Sequence, residues 1–83
     1  MVRKRSKRNY RNYTLRDGRF VVKHGITKNP DRRLQEMETE GLRFTSMIFD
    51  RYPVTEDTAR QREQDRVEAY RRGHKGKNPK YNK

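Results

Sequence analysis

Glu63 is the side chain whose position in the sequence most strongly suggests chemistry. It lies on the line that its predicted helix would bury, between Ala59 and Val67. A buried carboxylate without a cation costs several kcal/mol. The position therefore predicts either a salt bridge to a core arginine such as Arg33, or a hard metal ion such as Mg²⁺, which proteins hold with one or two carboxylates, water and phosphate oxygens.

Three more side chains are candidates for an active site, and each also has a purely structural interpretation. Arg33 flanks the apolar stripe of another predicted helix, where it would either clamp a phosphate or cover the edge of the core. Tyr13, on one face of a predicted hairpin, is by default a packed aromatic. His24 is either a structural histidine or a general base.

Two acid-free arms carry all of the formal net charge of +12. The N-terminal arm (residues 1–11) and the C-terminal arm (residues 71–83) each hold six Lys or Arg, whereas the 59 residues between them hold 11 basic and 11 acidic residues. Both arms are expected to be partly disordered until they meet a polyanion. Tyrosines within the arms, Tyr10 and Tyr81, suit stacking on bases beside phosphate contacts; a solvated tail is the alternative. The predicted nucleic-acid contacts are Arg3, Lys4, Arg5, Lys7, Arg8, Arg11, Arg71, Arg72, Lys75, Lys77 and Lys80.

Length and composition exclude several classes of protein. The 83 residues allow one domain, and no apolar run reaches the roughly 18–20 residues that a membrane helix needs. No apolar segment follows the basic N-terminus, so we expect no secretory signal. The absence of cysteine excludes disulfides and thiolate metal sites and fits a reducing compartment. We therefore expect a cytoplasmic protein without membrane contacts, in a bacterial or phage-infected cell.

A β-hairpin is predicted around Asp17-Gly18, the strongest short hairpin signal in the chain. If these two residues form the loop, Tyr13 pairs with Val22 and shares a face of the hairpin with His24. Lys23 then points to the opposite face, unless the strand bulges beside Gly25. The predicted strands are residues 12–16 and 19–26.

The remaining elements are two helices and a third strand. Asn29-Pro30 predicts a helix start, and the helix runs to about residue 40, before Gly41. The apolar and β-branched run over 42–52 suits a central strand buried on both faces. Thr55 caps a second helix that runs to about Tyr70. The order β-β-α-β-α predicts an α+β fold with a small three-stranded antiparallel sheet and flanking helices.

These residues, in this order, resemble the GIY-YIG nuclease domain over residues 13–82. Tyr13-Thr14-Leu15 resembles the end of the first motif, and Lys23–Thr27 the second motif in its Tyr-Lys-Ile-Gly-Ile-Thr variant. Asn29–Leu34 is similar to the helix-opening signature, with Arg33 in the place of the catalytic arginine. The helix around Glu63 resembles the metal-binding glutamate helix, and Pro79–Asn82 resembles the terminal motif.

The chain departs from the family pattern at three places. Arg11-Asn12 replaces the Gly-Ile of the first motif. Val22 or Lys23, depending on the alignment, occupies the place of the second tyrosine. The long spacing after Glu63 makes Asn78 a rival of Asn82 for the structural asparagine.

The resemblance implies a metal-dependent DNA endonuclease whose domain spans residues 12–83. Glu63 would hold one Mg²⁺ or Mn²⁺, Arg33 would neutralise charge on the phosphorane, and Tyr13, with its pKa lowered by metal and arginine, would activate the water. His24 would replace the missing tyrosine. The supporting residues would be Lys23, Gly25 and Asn82.

The biological setting suggested by the small size is a phage or a mobile element. Because no recognition domain is attached, a homodimer or a partner protein is expected to supply specificity for the DNA. The alternative is a non-catalytic nucleic-acid-binding protein, associated with a genome or a ribosome, which would also show a neutral centre with basic arms.

Overall fold

The structure, a computed structural model that describes residues 8–82, has the element order β-β-α-β-α. The three strands form one antiparallel sheet in the order β2-β1-β3. The predicted α+β fold is therefore confirmed. The elements are β1 (Arg11–Asp17), β2 (Phe20–Thr27), α1 (Pro30–Thr39), β3 (Ser46–Phe49) and α2 (Glu56–Gly73).

The hairpin of β1 and β2 has a different register from the predicted one. Its two-residue loop is Gly18-Arg19, because Gly18, with φ of 62°, takes the left-handed conformation at the first loop position. An irregularity between Leu15 and Arg16 then adds one residue on β2. As a result Tyr13 pairs with Gly25 and not with Val22.

The central strand is β1 and not the segment over 42–52. Tyr13 and Leu15 are at most 1% exposed, as is Asn12, which points to the other face. Only four residues of the apolar run form β3, at the edge of the sheet, and Ile48 is half exposed. The prediction of a central third strand is therefore wrong, because much of that run packs on the core from outside the sheet.

Both helices begin at the predicted caps. The side chain of Asn29 accepts from Arg32 N at the start of α1, and that of Thr55 accepts from Thr58 N at the start of α2. Met37 of α1 and Ala59 of α2 are fully buried. Within residues 8–82, no helix has the length and apolar character required to cross a membrane.

The C-terminal arm is folded as far as Asn82, which contradicts the expectation of disorder for residues 71–82. Tyr81 N donates to Val22 O (2.8 Å), and the Tyr81 hydroxyl accepts from Arg43 N (3.0 Å). In the N-terminal arm, Tyr10 forms a bridge with Val54. The predicted nucleic-acid contacts at Arg3, Lys4, Arg5 and Lys7 lie outside the described residues.

Candidate active site

Tyr13 and Arg33, from β1 and α1, are in direct contact. The Tyr13 hydroxyl accepts a hydrogen bond from Arg33 Nε (3.2 Å), and Arg33 Nη1 donates to a carboxylate oxygen of Glu36 (2.9 Å). The Arg33 side chain is 26% exposed. Its guanidinium is thus held from two sides while part of it still reaches solvent.

Burial makes Tyr13 a poor base. It raises the pKa of the phenol above its ordinary value of 10.0, and the hydrogen bond and charge of Arg33 do not reverse the shift. The ring also packs against Phe49, with centroids 6.3 Å apart. Tyr13 is therefore a core aromatic whose hydroxyl positions Arg33. The resemblance implied that a metal and Arg33 would lower the pKa of Tyr13. Arg33 alone does not bring it below the ordinary value.

Gly25 is required by the position of the Tyr13 ring. The ring crosses directly over Gly25, its partner on β2, and a Cβ there would collide with Cζ and Oη of Tyr13. A side chain at residue 25 would displace the ring and with it the hydroxyl that holds Arg33.

Lys23, and not His24, shares a face of the sheet with Tyr13. Lys23 pairs with Leu15, whereas His24 pairs with Thr14 on the opposite face. The predicted placement of His24 beside Tyr13 is wrong, because the bulge at Val22 reverses the alternation beyond it.

The surroundings of His24 are those of a structural histidine. Its Nδ1 lies 3.1 Å from Thr14 Oγ1. Burial, helped by the charge of Arg66, lowers its pKa below the ordinary 6.5. His24 is therefore neutral at neutral pH, and it is separated from Tyr13 by the sheet.

Lys23, on the same face of the sheet as Tyr13, is influenced by both positive and negative side chains. Burial and the charge of Arg33 lower its pKa below the ordinary value of 10.5, while Glu40 and Glu63 act in the opposite direction. The charges of Arg33 and Glu63 thus both act on the Lys23 amine.

Glu63 is a half-buried carboxylate close to several cations. Burial raises its pKa above the ordinary 4.5, although the charges of Arg60 and Lys23 oppose the shift. None of the ion pairs within residues 8–82 involves Glu63, and Arg33 pairs with Glu36. The salt bridge to Arg33, one of the two predicted partners, is therefore not formed.

Glu63 faces an open cavity of about 410 Å³. Asn82 lines the same cavity. Its side chain also binds the backbone of β2, because its Oδ1 accepts from His24 N (2.7 Å) and its Nδ2 donates to His24 O (2.9 Å). Asn78 instead accepts from Arg71 Nε. The lining residues are Arg60, Glu63, Gln64, Val67, Glu68, Arg71, Asn78 and Asn82.

The carboxylates that line this cavity suit a magnesium ion, which also binds water and phosphate oxygens. They are too few for a metal ion bound by protein side chains alone. Within residues 8–82, no group of three or more His, Cys, Asp or Glu side chains converges on a point. Glu63 and Glu68 supply carboxylates at the cavity. Mg²⁺ is commonly bound by one or two carboxylates together with water and substrate phosphates.

Two contacts that position α2 were missed by sequence reasoning. Nδ2 of the buried Asn12 donates to Ala59 O (2.9 Å), and Arg66 Nη2 donates to both carboxylate oxygens of Asp50 (3.0 and 2.8 Å). Each joins residues 16 or more positions apart, so no local pattern indicates it. Together they hold the helix that carries Glu63 against β1 and the end of β3.

Most of the predicted nucleic-acid contacts in the described part of the chain are at the surface. Arg11 is half-buried within β1 and the others are exposed. They are Arg8, Arg71, Arg72, Lys75, Lys77 and Lys80.

Comparison of the chain with protein-family models, with curated proteins and with solved structures gives no match.

Proposed function

We propose that the chain is a phosphodiesterase acting on DNA, and more specifically a metal-dependent endonuclease of the GIY-YIG type. The observation that carries this proposal is the state of Glu63. Its carboxylate is half-buried, forms no ion pair within residues 8–82, and lines an open cavity. Its charge and that of Arg33 both act on Lys23. Such a carboxylate is unfavourable unless it serves a ligand.

A non-catalytic nucleic-acid-binding protein is the alternative class. Its basic surface would be equally useful, but a carboxylate facing phosphates would weaken its binding. A structural role for Glu63 would require a partner cation, and Arg33 is engaged with Tyr13 and Glu36 instead. The lack of an ion pair at Glu63 among the described residues therefore favours the nuclease.

The roles of the side chains follow from their contacts. Arg33, held by Tyr13 and Glu36, would place its guanidinium on a phosphate oxygen and stabilise negative charge as it develops. Lys23 would bind or deprotonate the attacking water, because a lysine with a lowered pKa has a larger neutral fraction. A divalent cation on Glu63, completed by water and phosphate oxygens, would supply electrophilic stabilisation of the leaving oxygen.

The test is the Glu63→Gln variant, which keeps the size of the side chain and removes its charge. Nicking of supercoiled plasmid with Mg²⁺ or Mn²⁺ should fall by at least about a hundredfold. Affinity for DNA, measured without metal, should stay level or increase. Because burial raises the pKa of Glu63, its charged form destabilises the folded state above that pKa. The variant should therefore melt at the same or a higher temperature at neutral pH, and the difference should vanish as the pH falls through this titration.

Asp65→Asn is the matched control, since it removes an exposed carboxylate from the same helix. It should leave nicking unchanged. If Glu63→Gln cuts as fast as the wild type, or melts several degrees earlier, Glu63 is a structural residue and the nuclease proposal fails.

A further inference from the structure

Tyr70 and His74 form an aromatic stack at the C-terminal end of α2. Their rings are parallel to within 2°, and the ring centroids lie 3.6 Å apart. Tyr70 is half-buried, whereas His74 is exposed. One face of the imidazole is therefore covered by Tyr70, and the other face is directed to solvent.

Hydrogen bonds hold the stack in place. His74 Nδ1 lies 2.7 Å from Tyr70 O, and because a carbonyl can only accept, Nδ1 carries the proton. The backbone after the helix is closed by bonds from Gly76 N to Arg71 O (2.8 Å) and from Lys77 N to His74 O (3.1 Å). The stack is thus an aromatic plane in which the imidazole is held by a hydrogen bond as well as by the Tyr70 ring.

Lysine side chains lie beside this aromatic plane. A cavity of about 410 Å³ adjoins it, and its lining within residues 8–82 contains three lysines and no acidic residue. Of the two tyrosines that the sequence offered for stacking, Tyr81 packs against the core, and Tyr10 pairs through its backbone with Val54. The lining residues are Tyr70, Gly73, His74, Lys75, Lys77, Asn78 and Lys80.

We propose that Tyr70 and His74 form a platform on which one unpaired DNA base stacks while the lysines bind the adjoining phosphates. An aromatic plane among cations is the arrangement that binds single strands independently of sequence. In a duplex the base faces are already covered by neighbouring bases, so the platform should favour single-stranded or frayed DNA. Asn78 lines both this cavity and that of Glu63, so a strand bound here would lie beside the candidate active site. The proposal rests on the proposed function only in taking DNA as the ligand, and it involves neither Glu63 nor a metal.

The test compares three fluorescent probes without metal: a single-stranded oligonucleotide, its paired duplex, and a strand of the same length whose bases are replaced by abasic sites. His74→Ala should weaken binding of the single strand by roughly 5- to 150-fold, the loss typical of one stacking contact. Binding of the duplex and of the abasic strand should change by less than about twofold. Salt dependence should be unaltered, since no fixed charge is removed.

Tyr52→Ala is the matched control, because Tyr52 is 67% exposed and lies outside the platform. It should leave all three affinities unchanged, and His74→Phe, which keeps a flat ring, should restore the binding of the single strand. Equal losses on all three probes, or no loss on the single strand, would overturn the platform. Plasmid nicking by the wild-type protein is measured separately, so a failed platform and a failed nuclease give different results.

Discussion

In the proposed reaction, Lys23 has the proton-transfer role that the family resemblance implied for Tyr13, and Tyr13 has a supporting role. The phenol is buried and its pKa is raised, so it suits packing and a neutral hydrogen bond. The amine is only half-buried, and burial together with Arg33 moves its pKa toward the range in which a lysine accepts protons. Proton transfer in the proposed reaction is therefore assigned to Lys23 and positioning to Tyr13.

Tyr13→Phe separates these two roles. The variant keeps the packed ring and removes the oxygen that accepts from Arg33 Nε. We expect the free energy of unfolding to fall by about 1 kcal/mol and kcat to fall about tenfold, because Arg33 loses one of the groups that orient it. The pH profile of plasmid cleavage should keep its shape. A loss of activity accompanied by a changed pH profile would instead mean that Tyr13 carries the proton.

The pH dependence of cleavage distinguishes Lys23 from His24. A base acts in its deprotonated form, so with Lys23 in this role activity should rise with pH over a range below the ordinary lysine pKa of 10.5. Lys23→Met should abolish that rise, and His24→Ala should retain it. A rise near pH 6–7 that His24→Ala removes would contradict the assignment, since it would report the imidazole.

At the scale of elements, the side-chain contacts between α2 and the sheet determine where Glu63 lies. Asn12 of the central strand donates to Ala59 O, one turn before Glu63 on α2. Arg66 pairs with Asp50 one turn after it. Glu63 is thus bracketed by two contacts to β1 and to the end of β3, which leave its side chain at the cavity.

The Asn12→Ala variant tests the contact between β1 and α2. The substitution removes the buried hydrogen bond from Asn12 Nδ2 to Ala59 O, so the free energy of unfolding in urea should fall by about 1 kcal/mol. Gln61→Ala, on the exposed side of the same helix, should change it by less than about 0.5 kcal/mol. Equal stabilities of the two variants would show that the Asn12 contact does not hold the helix.

At the scale of the whole molecule, the distribution of charge governs affinity for DNA. Deleting residues 1–8 removes five cations of the N-terminal arm. Binding to unrelated DNA sequences should weaken about equally, and the slope of log K against log salt concentration should flatten by up to roughly 4–5 units, at about 0.9 for each phosphate that the arm neutralises. An unchanged slope in a salt titration would show that this arm does not touch the DNA backbone.

Local signals in the sequence were sufficient for the order of the elements and for the starts of both helices. Asn29-Pro30 and Thr55 cap the helices as predicted, because capping depends on a side chain and an N–H three residues away. The charge segregation and the candidate residues Arg33 and Glu63 were also evident from residue types and helical spacing. These features depend on neighbours along the chain, so the sequence by itself determined them.

Only the tertiary structure decided which side chains meet. The bulge at Val22 placed Lys23 on the face of Tyr13 and turned His24 to the other face, since one extra residue in a strand reverses the alternation beyond it. Glu63 forms no ion pair within residues 8–82, and Arg33 is bonded to Tyr13 and Glu36 instead. These outcomes depend on competition among partners distant in sequence, and a pattern read along the chain contains no information about which partner is closer.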